Sequence, residues 1–363
     1  MHYYGTLGPS CSSVQTLADM FRAGMTGVRL NMSHGDLDEN GRWLDMLFEA
    51  AMQCGVAKPQ VLIDLRGPEL RLGKLEHEIV VRENEEIVCG AGNTVPMDAL
   101  TVPQMFLQYA EVGDHFLVDD GKLEFVVESK MPVGQQSSVE GTEDQAQEVP
   151  GACALTARAI RGGAVKSGKS LAIVGKELPM PILTESDYKN IALAAQCGVT
   201  GVMLPFVRNK NDLLTLRRAL HAAGADHIEI FAKIENMQGV NTLEELLPYC
   251  DHVVIARGDL GNAMPLWKLP GVQKRIAAQC RAENKPFMVV TQMLDSMMER
   301  AVPTRAEVLD IYNAVMDGAA SVMLTGETAA GKHPVAAMEF LFKTGLEAER
   351  DYRCFSDCSL LHR

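Results

Sequence analysis

Short runs of branched and aromatic residues, four to six long, alternate over most of the chain with longer stretches of helical spacing. The runs fall at 3–6, 27–31, 60–64, 201–204, 228–233, 252–256, 287–291 and 321–324, eight in all. Between them apolar residues return every three or four positions, as in Val14, Leu17, Met20 and Phe21, or Leu213, Leu216 and Leu220. Eight strand–helix units whose strands are too apolar to leave a wet face predict an α/β fold, a closed parallel (β/α)8 TIM barrel. An open doubly wound sheet is the structural alternative.

One interval breaks the rhythm. Between Gly73 and about Glu177 the helical period is lost, and strand-like pieces (EIVV, EIVCG, HFLVDDG, LEFVVES) alternate with Gly and Pro turns. A segment of that length is too long for a loop. It reads as a small all-β, barrel-like domain inserted after the third barrel strand. The expected boundaries are 1–73 and 178–350 for the barrel, 74–177 for the insertion and 351–363 for a C-terminal tail. Within the insertion, 134–150 (GQQSSVEGTEDQAQEVP) is polar and acidic and reads as a loop.

Composition narrows the function classes. Of 363 residues 47% are hydrophobic and 22% charged, ordinary for a globular protein with a sizeable core. A formal net charge of −13 argues against nucleic acid and anionic membranes as partners, although a local basic pocket could still hold a phosphate. Nine scattered cysteines without a CxxC pair give no zinc site and suit a reducing cytoplasm. The start, MHYYGTLGPS, lacks the basic and apolar regions of a signal peptide, and no apolar run reaches the roughly 20 residues of a membrane helix.

In such a barrel, functional side chains project from the C-terminal ends of the strands. There the sequence turns polar. The second run ends in Arg29, Asn31, Ser33 and His34. Arg29, among apolar neighbours, needs a partner, which a phosphate, a carboxylate or a structural ion pair could supply. Asn31 and Ser33 could offer oxygens to a cation or cap a helix. The third run ends in Asp64, Leu65, Arg66, Gly67, Pro68, Glu69, Leu70 and Arg71, a dense set of charges that could be functional or merely solvated. Lys233 and Glu235 share one strand face, as charge stabilisation and metal binding require; a plain salt bridge is the alternative. The sixth run leads to Ala256, Arg257, Gly258 and Asp259, where glycine allows close backbone approach to an anion and Asp259 could join Glu235 on Mg²⁺. Thr291 and Thr325 end the last two runs with hydroxyls that could meet a substrate or cap a helix.

In order, the chain carries TLGPSC, RLNMSHG, DLRGPELR, VDDG, KIENMQG, ARGDLG, TQMLDSM, PTRAEVLDIYNAVMDG and MLTGETAAGKHP. These motifs, over about 3–350, resemble the pyruvate kinase family in sequence and in order. The resemblance implies phosphoryl transfer between phosphoenolpyruvate and ADP. By position, Arg29 would hold the phosphoryl group. Glu235 and Asp259 would bind Mg²⁺ or Mn²⁺, and Lys233 would stabilise charge on the phosphoryl group and the enolate oxygen. The backbone of Ala256, Arg257 and Gly258, with Thr291, would receive the carboxylate, and Thr291 would lie on the route that protonates the enolate. Asn31, Ser33, Asp64 and the Leu65 carbonyl would bind K⁺, a requirement that goes with Glu at position 69. Thr6, His34 and Arg71 would face the nucleotide, with the β domain closing as a lid.

The sequence also departs from that family. MHYYG stands where basic residues are usual, DLRGPELR replaces DTKGPEIR, and Pro205 replaces a serine. The lysine pair of the β domain is blurred into Lys166, Ser167, Gly168 and Lys169. The family's C-terminal α/β domain, with its sugar-phosphate site, is not found in this sequence, so a homodimer through barrel faces and no response to fructose bisphosphate are expected. Two other functions fit the same residues: a catalytically silent phosphoenolpyruvate-binding regulatory protein, and another enolate-forming enzyme on the same barrel.

Overall fold

The computed structural model describes residues 1–91, 98–119, 121–132, 153–176 and 178–360. Two compact units result, one of Met1–Pro68 with Pro181–Arg363 and one of Glu69–Met180. The acidic stretch 134–150 lies outside the described residues.

The first unit contains eight parallel strands, β1 (His2–Thr6), β2 (Gly27–Asn31), β3 (Gln60–Asp64), β4 (Gly201–Leu204), β5 (Glu229–Ile234), β6 (His252–Ala256), β7 (Phe287–Val290) and β8 (Ser321–Leu324). They close in the order β1-β8-β7-β6-β5-β4-β3-β2. Pairing of β1 with both β2 and β8 excludes the open sheet. Around them lie α1 (Val14–Arg22), α2 (Gly41–Gln53), α3 (Glu185–Ala194), α4 (Lys210–Ala222), α5 (Met237–Asn241), α6 (Leu243–Leu246), α7 (Arg257–Asn262), α8 (Leu269–Ala282), α9 (Arg305–Met316) and α10 (Pro334–Leu360). The helices bury the stripes that the spacing marks: Leu17, Met20 and Phe21 on α1, and Leu213, Leu216 and Leu220 on α4. Ser13 caps α1 by accepting from the Thr16 amide. Most of 351–363, expected as a tail, is instead the end of α10, because nothing after Gly345 breaks a helix. Gly345 itself is required where it stands, since a Cβ there would lie 2.5 Å from the Tyr3 ring.

The period of two along each strand sorts the barrel into an outer and an inner core. Val28, Leu30, Val61, Ile63, Ile230 and Ala232 face outward into the helix layer. Tyr4, Leu62, Met203, Phe231, Val254, Met288 and Met323 fill the inside. On the same inner face, one step further along their strands, stand Thr6, Asp64 and Lys233. The apolar plug thus forms a floor under the polar mouth. Thr328 fastens the seam at β1: its hydroxyl accepts from the Thr6 amide at 2.8 Å and donates to the Thr6 carbonyl at 2.9 Å.

In the second unit a seven-stranded sheet runs through Leu70–Arg71, Ser170–Ile173, His115–Val118, Leu123–Pro132, Cys153–Arg161, Glu86–Gly90 and Leu100–Thr101. Ile79–Val81 and Gly163–Val165 form a separate pair. The unit is not all-β: Gln104–Tyr109 forms a helix, too short for a period to register in the sequence. Its Phe106 packs edge-on against Phe116 at 5.1 Å, and Phe116 stacks on Phe125 at 5.0 Å, so this unit has a core of its own. No helix among the described residues is long and apolar enough to cross a membrane.

At the lower end of the barrel His252 stacks on Phe231 with ring centroids 4.1 Å apart, and its Nδ1 is buried without a partner. Burial holds this imidazole below its ordinary 6.5, against the pull of Glu229 and Asp251 and with the help of His2. A depressed histidine favours the folded state above the unfolded value and withdraws that stability as pH falls below it. Stability of the barrel is therefore expected to drop as pH falls below about 6.5, and His252→Phe should flatten that slope. Urea unfolding of both proteins at pH 7.5 and 5.5 checks this; equal pH slopes refute it.

Candidate active site

The C-terminal mouth of the barrel gathers charges that would be costly to bury singly. Arg29, ending β2, reaches Asp64 at the end of β3 through Nε (2.9 Å) and Nη2 (2.6 Å). Register places these strand ends together, with Asn31 opposite Asp64. Lys233 on β5 donates to both Asp64 oxygens at 3.1 Å and pairs with Glu235 at 2.9 Å. The side chains of Lys233, Asp64 and Glu235 are only 13%, 3% and 1% exposed. The other Glu235 oxygen accepts from the Phe206 amide at 2.8 Å, and Phe206 adopts a left-handed φ of 54° to present that N–H. Asp259, in the first turn of α7, acts on the same group, since its charge opposes ionisation of Glu235 and favours the Lys233 ammonium.

The two buried carboxyls respond oppositely. Burial alone would raise Asp64, but Lys233 and Arg29 outweigh it and hold the carboxyl below its ordinary range. Glu235 rises to about 7: burial comes first, and the charges of Asp259 and Asp64 add to it against the pull of Lys233. Lys233 goes up, because Asp64 and Glu235 overcome its desolvation. One carboxyl, Glu235, is thus poised near neutrality. Carboxylate oxygens at Glu235 and Asp259 could hold a hard divalent cation.

A second surface lies beside this cluster. A Cβ on Gly258 would sit 3.2 Å from the Thr291 methyl, so the backbone leaving β6 runs against the Thr291 side chain. Thr291 and Gln292 both have left-handed φ, 76° and 53°, a conformation that costs a β-branched residue about 1–3 kcal/mol. Arg257 fixes it. Its guanidinium donates to the Val290 carbonyl at 3.2 Å and the Thr291 carbonyl at 2.6 Å, and Asp310 on α9 holds Nη1 at 2.6 Å. The Arg257 side chain is thus a backbone clamp, turned to the Val290 and Thr291 carbonyls.

The remaining candidates are distributed as follows. Asn31 is a cap, accepting from the Ser33 amide at 3.2 Å. Leu65 is buried in the outer core, with its amide donating to the Met203 carbonyl. His34 is exposed. Thr6, expected to face the nucleotide, is buried, and its hydroxyl donates to the Leu324 carbonyl at 2.9 Å. Arg71 belongs to the second unit, where it pairs with Glu69 at 2.7 Å and donates to the Gly168 carbonyl. Sequence reasoning missed Asp187, Asp36 and Asp310, and left Arg66 open between a functional and a merely solvated charge. Asp187 had a legible signal, the Thr184–Asp187 capping box; Asp310 had none.

Opposite responses of the carboxyls give a test. At pH 8 Asp64→Asn should destabilise by about 3–5 kcal/mol, because it strips a buried ion cluster of the carboxylate that two cations share. Glu235→Gln should change stability by no more than about 1 kcal/mol, because it removes a charge that the fold already resists. Urea unfolding of the two variants decides; equal losses would refute the charge assignment.

A family model described as "Pyruvate kinase, barrel domain" matches residues 2–338. Among curated relatives, the chain is similar to pyruvate kinase of Geobacillus stearothermophilus, 35% identical over 349 residues, covering 95% of this chain and 56% of that protein. It is 33% identical over 352 residues to pyruvate kinase of Bacillus licheniformis, with 95% and 56% covered. Pyruvate kinase of Chlamydia pneumoniae is 33% identical over 349 residues, with 95% and 68% covered. The chain spans little more than half the length of the first two relatives.

Proposed function

The chain belongs to the pyruvate kinase family, and on that premise we propose that it transfers a phosphoryl group from phosphoenolpyruvate to ADP, giving pyruvate and ATP. One observation carries the reading: a buried ammonium, Lys233, held between Asp64 and Glu235 beside the Arg29 guanidinium at the barrel mouth. Phosphoryl transfer asks a protein for alignment and charge neutralisation more than for covalent chemistry.

In this reading the phosphoryl group lies against Arg29 and Lys233. The ADP oxygen bonds to phosphorus as the enol oxygen leaves with its electron pair, and Lys233 stabilises the enolate charge that results. The carboxylate of phosphoenolpyruvate rests on the main chain at Ala256–Gly258 and on the Thr291 hydroxyl, which the Arg257 clamp orients; that hydroxyl stands on the path of the proton that converts enolate to pyruvate. Glu235 and Asp259 would hold Mg²⁺ or Mn²⁺, which supplies charge neutralisation at the phosphoryl and carboxylate oxygens. Asn31, Ser33, Asp64 and the Leu65 carbonyl form an all-oxygen donor set that suits a monovalent cation. Thr6, His34 and Arg71 are the candidates for nucleotide contact.

Lys233→Met should lower kcat about a hundred- to a thousand-fold while phosphoenolpyruvate affinity changes far less, because the ammonium meets charge that develops in transit. Coupled pyruvate-release kinetics with several nucleoside diphosphates test this. Collapse of affinity at constant kcat would overturn the role of Lys233, and an inactive parent protein that still binds phosphoenolpyruvate would favour a regulatory binding protein.

Activation by K⁺ over Na⁺ and Li⁺ at constant ionic strength is also expected, with loss of that dependence in Glu69→Lys. Rates of the parent protein that are equal with and without K⁺ would remove the monovalent cation from the scheme.

A further inference from the structure

Asp187 is entirely buried, and its carboxylate collects four hydrogen bonds from three residues. Two serve its own helix: the Thr184 amide and hydroxyl donate to Oδ2, both at 2.8 Å, closing the capping box of α3. The other two come from the loop that follows β3. The Arg66 amide donates to Oδ1 at 2.8 Å and the Gly67 amide to Oδ2 at 3.2 Å. A cap needs only the first pair. The second pair fixes the two residues immediately after Asp64 and Leu65.

The same helix turn also holds the loop after β2. Asn190 accepts from the Leu37 amide at 2.6 Å and donates to Asp36 at 3.1 Å, and Ser186 donates to the same Asp36 oxygen. Arg66 joins the two loops directly, with Nε on the Met32 carbonyl at 2.7 Å and Nη2 on Asp36 at 2.9 Å. On the far side Gly67 is pressed against Pro205: its φ is +62°, and a Cβ would come within 2.5 Å of the proline ring. The backbone from Asp64 to Gly67 has no slack.

We infer that Asp187 is a positioning residue for the monovalent cation: through the Arg66 and Gly67 amides it sets where Asp64 and the Leu65 carbonyl stand relative to Asn31 and Ser33. The inference rests on the proposed cation site. Asp187→Asn keeps the shape but turns an N–H₂ toward amide donors, so the loop loses an acceptor while the volume is unchanged. Thr184→Ala is the control, since it weakens the cap of α3 and leaves both loop amides their acceptor.

Three quantities are to be measured on parent and variants: thermal midpoint, Tl⁺ binding by thallium NMR together with half-saturating K⁺ in turnover, and half-saturating Mg²⁺. Outer-sphere partners of a bound metal typically contribute 10–100-fold in affinity, so Asp187→Asn should raise half-saturating K⁺ and weaken Tl⁺ binding about tenfold or more, with Mg²⁺ moved less than about twofold. Thr184→Ala should lower the thermal midpoint and leave K⁺ and Tl⁺ unmoved. A folded Asp187→Asn protein with unchanged Tl⁺ binding overturns the inference, as do equal losses in both variants. Should Asp187→Asn fail to fold, Asn190→Ala, which frees the other loop at Leu37, must show the same selective loss, or the inference falls. A parent protein that binds no Tl⁺ and ignores K⁺ refutes the cation site itself, in the parent arm and before any variant is read.

Discussion

A buried ammonium cannot be left alone, and the mouth of this barrel is arranged around that constraint. Lys233 needs carboxylates within contact distance; Asp64 and Glu235 supply them at 3.1 and 2.9 Å. Asp64 is in turn over-provided with cations, and Glu235 is under-provided. The asymmetry follows from strand order. Arg29 lies on β2, next to Asp64 on β3, whereas Glu235 lies beyond β5 with only Lys233 beside it and Asp259 nearby. A cation held at Glu235 would offset the burial and the neighbouring carboxylates that push its carboxyl up to about 7.

Strand parity carries that arrangement into the rest of the fold. Asp64 and Lys233 share the inner face with Leu62 and Phe231, so any register that buries the apolar pair in the barrel also raises the charged pair to its mouth. The plug beneath excludes water from one side of the ion cluster and strengthens every interaction in it. Left-handed backbone gathers at the same level: Phe206 to reach Glu235, and Thr291 with Gln292 to reach across to Gly258. Each has a counterweight in view, the carboxylate for Phe206 and the Arg257–Asp310 clamp for Thr291.

Much of this was legible in the sequence, and for a physical reason. Strands buried on both sides leave apolar runs that end where polarity begins, so the ends that carry Arg29, Asp64, Lys233 and Asp259 announce themselves. What a run cannot announce is a partner far along the chain. Nothing local says that Arg29 will choose Asp64, that the Arg257 side chain will turn to the Thr291 carbonyl, or that the Thr6 hydroxyl will be spent on Leu324. The helix Gln104–Tyr109 escaped because two turns between strands give no period to count.

Three of the unusual residues, Leu65, Arg66 and Pro205, fall into one contact set, and the geometry explains why they can coexist with the charge cluster. Leu65 replaces a side-chain hydroxyl with an apolar group, and it is buried in the outer core while its amide stays on the Met203 carbonyl. Arg66 follows it, with a guanidinium long enough to tie the Met32 carbonyl and Asp36. Pro205, at the end of β4, meets Gly67, where no side chain could fit. None of the three places a charge near Lys233 that would need a new partner. Each instead adds a restraint to the backbone between Asp64 and Gly67, the segment that Asp187 grips from the other side. At the proposed cation site, a carbonyl on a fixed loop would serve as the oxygen donor without the adaptable side chain that Leu65 replaces.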